Sequence, residues 1–146
     1  MVARGILVAV AILSLAAHSI VGTEQKRNLT VTCIVSRPGV GQAVLSLFDS
    51  EEDFLKQPVA SQAKPVDESG KTVFVLEDLS PKTYAVSVIH DMDSDGELDT
   101  GFLGIPSEPV GMSNNAKGRF GPPSFKQCAF ELSEDLSIEI TLGKAK

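Results

Sequence analysis

Apolar and polar residues alternate along most of this chain. In Asn28–Ser36, Leu29, Val31, Cys33 and Val35 share one face, and Asn28, Thr30, Thr32 and Ser36 share the other. A period of two with β-branched residues predicts a half-buried strand. Arg37-Pro38-Gly39 is a turn, and Gln42–Phe48 predicts a second strand with Ala43, Leu45 and Leu47 on one face. Ser50 precedes Glu51, Glu52 and Asp53, an N-cap followed by acids, which predicts a short helical turn ended by Pro58. Ser61–Val66 is a weaker strand, and Asp67-Glu68-Ser69-Gly70 is a turn by composition. Lys71–Glu77 sets Thr72, Phe74 and Leu76 against Val73 and Val75, a pattern expected of a strand covered on both faces. Tyr84–His90 is a further strand, again with apolar residues on both sides.

From Asp91 to Lys126 the strand signal stops, and glycine and proline recur. An irregular segment of this length in a small domain is expected to be functional, tied by an ion, or disordered. Phe102, Leu103, Ile105, Phe120 and Phe125 argue against disorder. Alternation resumes in Gln127–Leu132, with Cys128, Phe130 and Leu132 inward, and in Leu136–Leu142. About seven short strands with almost no helix predict an all-β fold, a single antiparallel β-sandwich carrying one long loop at 91–126.

Composition adds a compartment. Residues 1–19 have the build of a secretory signal: Arg4, an apolar run over Gly5–Ala17, and small residues in Ala17-His18-Ser19. An uncleaved anchor is the rival reading, because Ile20-Val21-Gly22 lengthens the run. Residues 20–146 then form the β-sandwich domain of an exported protein, periplasmic or secreted. The chain carries a net charge of −6, and loss of Arg4 with the leader makes it more negative. Such a domain favours neither nucleic acid nor an anionic membrane as partner. Its expected partner is an extracytoplasmic ligand or protein. In an oxidising compartment, Cys33 and Cys128 are candidates for one disulfide, or for two buried thiols.

The chemistry concentrates where the long segment begins. His90-Asp91-Met92-Asp93-Ser94-Asp95-Gly96-Glu97-Leu98-Asp99 has carboxylates at loop positions 1, 3, 5 and 9 and glycine at 6, the spacing that wraps oxygen ligands around Ca²⁺. Asp91, Asp93 and Asp95 supply carboxylate oxygens, Glu97 a backbone carbonyl, and Asp99 a ligand direct or through water. Position 12 is Phe102, so the bidentate glutamate is missing, and Glu108 is the candidate substitute. Affinity is therefore expected in the range of about 10⁻⁴–10⁻³ M typical of extracellular modules. The bland alternative is a solvated turn that uses Asp and Gly for their turn preference. His90 could brace the loop, bind a ligand or act as acid/base. No Ser/His/Asp or Cys/His constellation accompanies it. Asn114, Asn115, Lys117 and Arg119 form a polar patch suited to a polar ligand, or to satisfying its own backbone.

The motifs from Asp78 to Phe130 resemble, as a set, the bacterial secreted family catalogued as domain of unknown function 2141. They comprise the acidic loop, Phe102-Leu103-Gly104-Ile105-Pro106-x-Glu108, Gly111-x-Ser113-Asn114-Asn115 and Gly121-Pro122-Pro123-Ser124-Phe125. Leu79-x-Pro81-x-Thr83-Tyr84 and Gly41-x-Ala43-x-Leu45-x-Leu47-Phe48 fit as well. Lys82, Pro109 and Val110 depart from the family pattern, while Asp93 and Asp95 stand where Asn is common. The resemblance implies a prealbumin-like or immunoglobulin-like sandwich, exported, with no established activity. The residues of the acidic loop, read for themselves, leave two functions open. One is a non-enzymatic module whose Ca²⁺-ordered loop presents a surface to a ligand or partner. The other is a metal-dependent hydrolase or transferase using the acidic loop, with His90 as acid/base and Asp99 or Glu108 as its partner.

Overall fold

A computed structural model describes residues 24–144. The expected leader at 1–19 lies outside the described residues. Strands β1 (Arg27–Ile34), β2 (Gln42–Phe48), β3 (Ala60–Pro65), β4 (Lys71–Leu79) and β5 (Thr83–Asp91) follow in order. β6 (Val110–Met112), the helical turn α1 (Phe125–Cys128), β7 (Phe130–Glu131) and β8 (Leu136–Thr141) complete the chain. Two sheets result, a three-stranded one in the order β4-β1-β8 and a five-stranded one in the order β3-β2-β5-β6, with β7 also on β5. The fold is an all-β sandwich. It is not wholly antiparallel, because β8 runs parallel to β1, pairing Leu29 with Leu136 and Cys33 with Ile140.

The alternation explains the core. Leu29, Val31 and Cys33 of β1 and Ala43, Leu45 and Leu47 of β2 are fully buried between the sheets with Phe74, Val86, Val88 and Ile140. Successive strand residues point to opposite faces, so a strand buried on one side reads as a period of two. β4 departs from expectation: Thr72, Phe74 and Leu76 face the core, but Val73 and Val75 are exposed. β4 edges its sheet, and its outer face is exposed at Val73 and Val75. Its backbone edge meets β3 instead, where Lys64 Nζ donates to the Val73 carbonyl and Gln62 Nε2 to that of Val75. Long polar side chains on neighbouring edges blunt strand addition.

β5 is covered on both faces. Tyr84, Val86 and Val88 look into the main core, while Ala85 and Ser87 are buried beneath the long segment. Phe48, Phe54, Ala85 and Cys128 form a second apolar cluster there, with Phe54 set edge-on to Phe48 and Phe125 at 5.3 and 5.7 Å. The cysteines therefore lie on opposite sides of the larger sheet, Cys33 in the main core and Cys128 in the outer cluster. Both are free thiols, and the expected disulfide does not form. Burial alone pushes the Cys33 thiol up to about 12 and that of Cys128 to about 11.

Two local expectations also change. Ser50 Oγ does accept from the Asp53 amide, but the segment after it is a run of turns rather than a helix. Gln127–Leu132 is not one strand. Ser124 and Gln127 form a reciprocal capping box that starts α1, and only Phe130–Glu131 pairs with β5. A capping box satisfies two amides at once, which outweighs a short alternating pattern.

Candidate metal centre

The acidic loop leaves the end of β5. Its base is closed where the His90 amide donates to the Pro109 carbonyl at 2.8 Å and Ile89 pairs with Val110. Between these points, Ser107 donates to Asp99 and Gly101 to Ile105, making a narrow stalk bridged at Thr100 and Pro106. The tip carries Phe102 and Leu103, which are 88% and 80% exposed. The long segment is thus an ordered hairpin-like excursion followed by β6, although the sequence offered no strand there.

Asp91 anchors the loop from inside. It is fully buried, and its Oδ2 accepts from Gln42 Nε2 at 2.7 Å and from the Gly96 amide at 2.9 Å. Its Oδ1 is buried with no hydrogen-bond partner. An unpaired buried carboxylate oxygen is costly, since desolvation goes uncompensated. Asp93 Oδ1 accepts from the Asp95 amide and Asp95 Oδ1 from the Glu97 amide, so each acid also shapes the turn. Gly96 takes a φ of 85°, the left-handed conformation that favours glycine.

Carboxylate oxygens of Asp91, Asp93 and Asp95 lie within 4.8 Å of one another, and so do those of Asp93, Asp99 and Glu108. Asp93 joins the two groups. Glu108 is buried, with Oε1 accepting from the Met92 amide at 2.7 Å and Oε2 from the Asp99 amide at 3.3 Å. The loop brings Glu108 back beside Asp93 and Asp99. Glu97 stays exposed.

The charges respond to this crowding. Burial pushes Asp91 up, yet the hydrogen bonds from Gln42 and from the Gly96 amide hold its carboxyl below the ordinary carboxylate value. For Asp93 the Asp95 amide favours ionisation, but desolvation and the neighbouring charges of Asp95 and Asp99 raise it. The two carboxyls are thus displaced in opposite directions, Asp91 by the donors that solvate it and Asp93 by desolvation and its acidic neighbours. Oxygens alone make a hard donor set, which matches Ca²⁺ or Mg²⁺ rather than zinc.

The other sequence candidates are placed differently. His90 is fully buried and points to the face of β5 opposite Asp91, as strand alternation requires. Its Nε2 donates to the Val40 carbonyl at 2.8 Å, which braces the turn before β2. Asn114 donates to the Gln127 and Ala129 carbonyls, and Asn115 bonds both the Glu139 carbonyl and the Thr141 amide. Their amides tie the long segment to α1 and β8. Arg119 is exposed beside Phe120. Two contributors were not singled out from the sequence, Gln42 and Gly41. Gly41 adopts a φ of 63°, and a Cβ there would overlap the Asp91 carbonyl. The glycines at 39 and 41 just before β2 were the available signal.

Fold and site together define a β-sandwich whose larger sheet carries an acidic loop at one strand end. The chain belongs to the family described as uncharacterized protein conserved in bacteria (DUF2141), whose model matches residues 31–140. No curated protein matches the chain, and neither does any solved structure. Among the described residues, no helix is long and apolar enough to cross a membrane.

Proposed function

We propose that this protein is an exported, non-enzymatic β-sandwich module whose acidic loop binds Ca²⁺. The cation clamps the start of the long segment, which in turn presents a surface to a ligand or partner. The observation that carries this reading is the buried Asp91 carboxylate, whose Oδ1 has no hydrogen-bond partner and one of whose oxygens lies within 4.8 Å of those of Asp93 and Asp95. A cation supplies the partner that the fold leaves out. Asp91, Asp93, Asp95, Asp99 and Glu108 are the ligand candidates, with Glu97 contributing its carbonyl. The signal-like residues 1–19 support export. The enzymatic alternative finds no support in the position of His90, which faces the core.

Calorimetric titration tests the reading. The wild-type protein is expected to bind Ca²⁺ with a dissociation constant of about 10⁻⁴–10⁻³ M, and Asp91→Asn to weaken it by about tenfold or more. Absence of binding heat together with an unchanged melting temperature at millimolar Ca²⁺ would refute it.

A further inference from the structure

A cleft of about 1330 Å³ lies over the outer face of the larger sheet, away from the main core. That exceeds the ~300–1,000 Å³ of ordinary small-molecule sites. Its floor is three strands wide. Ser46 of β2, Ser87 of β5 and Met112 of β6 stand in one cross-strand row, and Ile89 pairs with Val110 in the next. Leu103 from the loop tip and Phe120 also line it, and Phe120 is 94% exposed.

The lining is charged in one sense only. Lys56, Lys117, Arg119 and Lys144 border the cleft, and no Asp or Glu does among the described residues. The whole chain has 19 acids against 13 Lys and Arg, so an acid-free border is contrary to its overall balance. Cations at the rim of an apolar trough complement a molecule that is apolar along its length and anionic at one end. Lys and Arg also lay their stems on apolar surface while keeping the charge in water.

We propose that this cleft binds one amphiphilic anion, a long-chain carboxylate. Its hydrocarbon lies along Ile89, Val110 and Met112 beside Leu103 and Phe120, and its carboxylate meets Lys117 and Arg119. This assigns a ligand class to the presenting segment proposed above, and rests on that reading only in that the Ca²⁺ clamp steadies the part of the lining carrying Leu103.

The test is a fluorescence titration of the purified protein with dansyl-undecanoic acid, in Ca²⁺ and in EGTA, followed by displacement. Saturable binding of one equivalent is expected, displaced by palmitic acid and not by hexadecanol. Lys117→Glu with Arg119→Glu should weaken the probe by about tenfold or more, since both attractive charges become repulsive to its carboxylate. Both positions are exposed, and an unchanged circular dichroism spectrum confirms that the double variant folds. Phe120→Asp should weaken binding as well. Equal displacement by the alcohol, indifference to the charge reversal, or uptake only into phosphatidylcholine vesicles would each overturn the proposal. Ca²⁺ separates it from the clamp. Probe binding unchanged by EGTA supports the cleft and removes its dependence on the clamp, whereas calorimetric Ca²⁺ binding with no probe binding sinks the cleft alone.

Discussion

The two faces of β5 are built by different means. The inner face, with Tyr84, Val86 and Val88, meets the second sheet through strands whose alternation is regular and whose side chains interdigitate. The outer face, with Ala85, Ser87 and Asp91, is covered by an irregular segment that adds a small apolar cluster around Phe48, Phe54 and Cys128 and is tied down by point contacts. These are the buried Ser113 hydroxyl, which bonds the Val86 amide and the Cys128 carbonyl, the amides of Asn114 and Asn115, and the Glu108 carboxylate. Regular packing spreads stability over many apolar contacts. Point contacts concentrate it in a few polar ones, so the outer layer is where a cation or ligand has leverage.

Core truncation gives the largest predicted contrast. Phe74→Ala on the inner side should cost about 3–5 kcal/mol in urea unfolding, because Phe74 is fully buried. Phe125→Ala on the outer side should cost clearly less, since Phe125 is only partly buried. Equal losses would mean that the two layers are not energetically distinct.

A smaller effect should come from the support of Asp91. Gln42→Leu removes the amide that orients Oδ2, and second-sphere changes of this kind lower metal affinity by about 10–100-fold. Calorimetric affinity indistinguishable from wild type would detach β2 from the site.

The smallest contrast lies between the thiols. Neither Cys33 nor Cys128 should react appreciably with a thiol reagent in the native protein, since burial raises both above the ordinary thiol value. When slow modification is followed by mass spectrometry, Cys128 should be labelled before Cys33, because its layer opens more readily. Cys33 reacting first would reverse the proposed order of stability.

What could be read in the sequence follows the same division. The inner face was legible because a sheet against a sheet imposes a period of two, as in Leu29, Val31 and Cys33. The acidic loop was legible as a cluster because acids at alternate positions followed by glycine form a local pattern, and the fold sets Glu108 near Asp93 and Asp99. The outer layer was not. β6 is a three-residue strand containing Gly111, too short to leave a periodic trace, and the Ser124–Gln127 capping box lies within residues that also alternate. The disulfide expectation failed for a related reason: both cysteines occupy apolar positions, but alternation does not say which of two apolar layers a residue enters. The parallel pairing of β1 with β8 joins residues far apart in sequence, and no local pattern encodes it.

We propose that a cation at Asp91 steadies the outer layer while leaving the inner one alone. Amide hydrogen exchange with and without millimolar Ca²⁺ tests it most directly. Protection should rise at Met92, Gly96 and Asp99, whose amides donate to the acidic cluster, and along the stalk at Gly101 and Ser107. Strand β1 should exchange at the same rate in both conditions. Protection that is indifferent to Ca²⁺ throughout 91–109, or that rises equally in β1, would contradict the account.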